Sequence, residues 1–158
     1  MLRKAMGVAG GFAAWLIVWV GIEAVLSGVW PDGYGAHQRA FTAAIKTGAA
    51  FTPDAVILVI HVVIAMAVAC LSGFWAAWLS RENQRVPMIL GILLFALAIL
   101  KAAMTWSLVP VWYHVAFTMV LLPMALIGGK LCGWPRSKSP DRQDSSTSTA
   151  QSVSGPNR

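Results

Sequence analysis

Four stretches of this chain stay apolar for longer than a soluble core helix requires: about Met6–Trp30, Ala55–Leu79, Pro87–Leu108 and Val111–Leu131. A hydrocarbon core about 30 Å thick needs roughly 20 residues at 1.5 Å rise each. Lipid offers the backbone no hydrogen-bond partner, so each run is expected to be an α-helix. A polar turn, Ser80–Val86, separates the second run from the third, and Ser107–Leu108–Val109–Pro110 separates the third from the fourth. Such short links make neighbours antiparallel. The expected fold class is an all-α integral membrane protein, a four-transmembrane-helix up-and-down bundle occupying residues 1–134. Composition agrees. Charged residues are 11% of the chain and hydrophobic ones 58%, whereas a soluble domain carries about a quarter charged. The exterior must therefore face lipid.

The first run follows Arg3 and Lys4, as a secretory signal would, but it is longer than a signal core and reads as a retained helix. Pro31–Pro53 is the longest link. Pro31–Asp32–Gly33–Tyr34–Gly35 is turn chemistry. Ala36–Phe51 then places Phe41, Ala44, Ile45 and Gly48 at helical spacing, predicting a weakly amphipathic helix along the membrane surface. Thr52–Pro53–Asp54 reads as a helix start, with Thr52 as the cap. Pro123 inside the fourth run predicts a kink near Met119. Beyond Pro135 the chain is rich in Ser, Thr, Gln, Pro and Asp, and residues 135–158 are expected to form a disordered cytoplasmic tail.

Basic residues set the orientation. Arg3, Lys4, Arg81, Arg85, Lys130, Arg136, Lys138, Arg142 and Arg158 fall on one side, and Arg39 and Lys46 on the other. The positive-inside rule places both termini in the cytoplasm. The short basic anchor and the Ala, Gly, Val and Trp content point to a bacterial inner membrane. The net charge of +6 is explained by this asymmetry, so no nucleic-acid partner is expected. Trp30, Tyr34, Trp106, Trp112 and Tyr113 fall near the outer interface, and Trp75, Trp78 and Trp134 near the inner one. Trp15 and Trp19 fall mid-helix and read as packing residues. Cys70 and Cys132 form no metal or redox spacing and read as packing residues too.

Away from the cytoplasmic end marked by Lys130, the runs hold four ionisable residues of the Glu, His and Lys types, one in each: Glu23, His61, Lys101 and His114. The first three lie seven residues from Trp30, Asp54 and Leu108 respectively. That places each roughly 10 Å from the same membrane face. His114 is shallower. A charge at a helix centre costs about 2.5–3.5 kcal/mol, so pairing of Glu23 with Lys101 and hydrogen bonding by the two histidines would lower the cost. The pattern predicts an inward-facing polar cluster open to the outer side. The plainer readings are a Lys101 that snorkels to the interface, a protonated Glu23, a packing His61 and an interfacial His114. Gly7 and Gly11 form a small-xxx-small pair that seats a neighbouring helix or a second copy.

No phosphate loop, nucleophile elbow, zinc-protease helix or dinucleotide fingerprint occurs. The first expectation is thus a non-catalytic accessory, assembly or envelope protein whose partners are lipid, a membrane protein or its own copies. A second is a redox carrier holding haem b between His61 and His114, on helices diagonal across the core. A third is transport of a proton, ion or small solute by an oligomer through Glu23.

Overall fold

The computed structural model describes residues 2–133. The tail expected over 135–158, and Trp134, lie outside them. The described chain is α-helical: α1 (Leu2–Val29), a π-helical turn (Pro31–Gly35), α2 (Ala36–Thr47), α3 (Ala55–Ser80), α4 (Arg85–Thr105) and α5 (Val111–Leu131). Helices α1, α3, α4 and α5 are long and apolar enough to cross a membrane. The chain is an all-α integral membrane protein. Their outward faces carry Ile17, Val20, Val59, Val63, Ile99, Leu100, Val115 and Met119, the surface that lipid covers.

Local chemistry sets the element ends. Helix α3 is capped by Asp54, whose carboxylate accepts from the Val56 and Ile57 amides at 2.8 and 3.3 Å. The cap therefore falls two residues after Thr52, because the acidic oxygen reaches the free amides from just outside the first turn. Helix α2 stops at Gly48, which adopts the left-handed conformation that glycine enters without steric cost. Helix α5 is continuous through Pro123.

Helix packing departs from a simple sequential ring. α3 sits centrally against α1 and α5, α4 packs mainly on α5, and α1 meets α4 more weakly. The second and fourth spans are thus close neighbours and not diagonal. Small residues permit this. A Cβ on Gly73 would run into the Ala125 carbonyl, and one on Gly128 into the Cys70 carbonyl. Gly7 and Gly11 seat α1 on α3 in the same way: their Cβ positions lie 2.7 Å from Ser80 Cβ and from Ala76 Cβ. The Gly7–Gly11 face is therefore occupied within the chain. At the same end, Lys4 Nζ pairs with Glu82 Oε1 at 2.7 Å, which ties the start of α1 to the α3–α4 turn. The opposite end is roofed by the π-helical turn and α2.

A polar cavity beneath the surface helix

Under α2 lies a cavity of about 320 Å³. Its wall gathers Glu23 of α1, His61 of α3 and Lys101 of α4, with Trp19, Thr105 and Tyr113 beside them and His37, Gln38 and Lys46 of α2 above. Three of the four intramembrane ionisable residues therefore meet in one place. Each was brought there by its depth on its own helix.

His61 is the best-fixed of them. Its Nδ1 lies 3.0 Å from the Ile57 carbonyl and its Nε2 lies 2.9 Å from the Tyr34 hydroxyl. A carbonyl only accepts, so Nδ1 carries the proton. In the neutral ring Nε2 then accepts from Tyr34. Glu23 Oε1 stands 3.8 Å from the same Nε2, beyond hydrogen-bond length but near enough for charge to act across the gap. Tyr34 is fully buried, not an interfacial ring. Burial first, and the Glu23 charge second, push its hydroxyl up to about 12, so it stays a donor throughout the neutral range. The π-helical turn is what brings it inward: the Trp30 carbonyl accepts from the Gly35 amide at 3.0 Å, swinging Tyr34 under the roof.

Glu23 and Lys101 share the cavity without a direct ion pair. The Lys101 ammonium lies 5.0 Å from the Phe117 ring centre and 5.9 Å from that of Trp19. Such contacts supply about 2 kcal/mol when desolvated, comparable with the cost of placing a lysine in the span. The rings thus hold the ammonium at the cavity floor and leave its hydrogen-bonding capacity unspent. Lys101 does not snorkel.

His114 stands apart. It stacks on Trp106 with ring centres 5.3 Å apart and planes 10° off parallel. It is buried, does not line the cavity, and its Nε2 has no hydrogen-bond partner. The two histidines therefore do not face one another across a shared space, and Tyr34 holds His61 Nε2. A haem held between His61 and His114 draws no support from this geometry. Among the described residues no three His, Cys, Asp or Glu side chains converge on a metal-sized site.

The roof is held by aromatic contacts. Phe51 packs edge-on against His37 at 5.0 Å and Phe41 at 5.4 Å, folding the link after α2 back onto it. Partial burial lowers the His37 pKa, the neighbouring His61 lowers it further, and Asp54 opposes both. Tyr34 and His37 are the site residues that sequence reasoning passed over. A tyrosine between two glycines was the available signal for a side chain turned back into the protein.

These features define a class: a four-span membrane protein with a roofed polar cavity inside one half of its bundle. No family model, curated protein or solved structure matches the chain.

Proposed function

We propose that this protein is a non-catalytic inner-membrane protein that binds a small solute from the outer side, with both termini and the α3–α4 turn in the cytoplasm. The cavity carries the reading. A helix protein acting only through surface contacts has no need to gather Glu23, His61 and Lys101 around about 320 Å³ of space, a volume at the lower end of ligand pockets. The basic residues support the orientation. Arg3, Lys4, Arg81, Arg85 and Lys130 cluster at the end away from α2, which the positive-inside rule assigns to the cytoplasm.

Native mass spectrometry of the gently solubilised protein tests binding. Wild type should carry a bound small-molecule mass that is lost in Lys101→Met and changed in amount in Glu23→Gln. The same spectrum for all three proteins, with no bound mass, would remove the proposal. The visible absorption spectrum of the same sample should be featureless. A Soret band abolished by His61→Ala would reinstate the redox reading in its place.

A further inference from the structure

The cavity does not end at Lys101. A second, apolar cleft of about 150 Å³ shares Trp19 and Lys101 with it and continues between α1, α4 and α5 along Trp15, Leu94, Leu97 and Leu121. These positions lie one to two helical turns from Trp19, Lys101 and Phe117, on the side away from α2. The cleft therefore points toward the middle of the membrane. Lys101 stands at the junction, with polar wall on one side and hydrocarbon wall on the other.

From this juxtaposition we infer that the solute is a single-chain amphiphile with a carboxylate head, a long-chain fatty acid, its head at Lys101 and its chain in the cleft. This rests on reading the cavity as a solute site. Three observations converge on it. Charge comes first: the Lys101 ammonium stands at the floor, and Lys46, exposed at the rim on α2, adds a second positive charge against the single glutamate, Glu23, so the lining favours a monoanion. Hydrogen bonding comes second. The Lys101 ammonium is held by the faces of Phe117 and Trp19, so its hydrogen-bond donors stay open to a ligand at the junction. Size comes third. At about 150 Å³ the cleft takes only the first few methylenes of a single chain below Lys101, which disfavours a two-chain phospholipid. A wholly polar solute would fill the cavity and leave the apolar cleft unused.

Energetics say where the affinity comes from. Lipid tails are as apolar as leucine, so moving a chain from bilayer to cleft gains little. The head must supply the binding, through a charge-assisted hydrogen bond to Lys101 in a medium of low dielectric. Among chains long enough to partition into the bilayer, selectivity should therefore follow the head group, while the chain serves to concentrate the ligand in the membrane beside the cleft.

The test uses the full chain in phosphatidylcholine nanodiscs with palmitate bearing a mid-chain diazirine, photolysed and mapped by mass spectrometry. Adducts should concentrate on Trp15, Leu97 and Leu121, fall at least tenfold in Lys101→Met, and persist in Lys101→Arg. Unlabelled palmitate should compete in wild type and palmityl alcohol should not, a comparison that needs no variant to fold. Adducts spread evenly over lipid-facing Ile17 and Ile99, or equal competition by the alcohol, would overturn the inference. Displacement of the probe by phosphatidylglycerol would overturn it too. Competition by butyrate as strong as that by palmitate would overturn it while leaving the solute site standing.

Discussion

At the scale of single residues, the Tyr34–His61 contact makes the sharpest demand. Both groups are buried and the bond is 2.9 Å long. Removing one partner strands the other, which costs about 1–3 kcal/mol, whereas removing both is nearly neutral. Tyr34→Phe should therefore lower the thermal unfolding temperature in detergent, and adding His61→Phe should recover part of the loss. A single variant as stable as wild type would show that the contact contributes nothing. His37 yields a pH prediction. Its pKa in the fold is lowered below the ordinary 6.5, chiefly by burial, with His61 adding to the shift and Asp54 opposing it. The fold thus favours the neutral ring. That stabilisation is present above the ordinary value and is lost as pH falls through the folded one. Stability should drop between pH 7 and pH 5, and His37→Gln should flatten the drop. Glu23, His61 and Lys101 were legible in the sequence because lipid makes any ionisable residue in a span conspicuous. Tyr34 and His37 were not. They lie in the link, where polar residues are ordinary, and only the π-helical turn turns one of them inward. The direct Glu23–Lys101 pair failed as an expectation because sequence gives depth and not direction, and two aromatic rings reached the ammonium first.

Elements show the same division. The four spans could be read to within a helical turn at each end, since an uninterrupted apolar run has one stable conformation in lipid. Their packing order could not. Gly7 and Gly11 announce themselves by a four-residue spacing on one helix, but Gly73 and Gly128 sit on different helices and no spacing rule links them. Yet their approach is the tighter, since each would thrust a Cβ into a backbone carbonyl of the other helix. A backbone carbonyl has no rotamer with which to retreat. Gly128→Ala should therefore cost at least the about 1–3 kcal/mol typical of an overpacked core, read as a lower unfolding temperature in detergent. Gly21→Ala is the matched control: nothing lies within 4 Å of its Cβ position, and the substitution should be tolerated. Equal behaviour of the two would mean that α3 and α5 do not meet as described. The Asp54 cap is worth about 1 kcal/mol by the usual cost of losing such a side chain, and Asp54→Ala should lower stability by that order. Thr52→Ala should do so much less.

For the whole molecule, function depends on which end faces which compartment. The described residues fix the ends relative to one another: the Lys4–Glu82 pair joins the start of α1 to the α3–α4 turn, and the Gly129 backbone lies against Pro87 and the Asn83 carbonyl. The start of α1, the α3–α4 turn and the end of α5 therefore share one side, and α2 lies on the other. The proposed compartment rests on charge: the α2 side carries only Arg39 and Lys46, and the positive-inside rule assigns the poorer side to the outside. The cavity and its three ionisable side chains fall in the half of the membrane nearest α2, so the same choice decides where a solute enters. Cysteine variants settle it in intact cells with a membrane-impermeant thiol reagent, on a background in which Cys70 and Cys132 are serine. Lys46→Cys, on α2, should be labelled from outside, and Asn83→Cys only after the membrane is opened. A third position, Leu58→Cys on the buried cavity wall, should react from outside more slowly than Lys46→Cys but faster than Asn83→Cys, since the reagent must pass the α2 roof. The reverse pattern, with Asn83→Cys labelled in intact cells, would invert the protein in its membrane. The cavity would then open to the cytoplasm, and any bound fatty acid would be drawn from the inner leaflet instead.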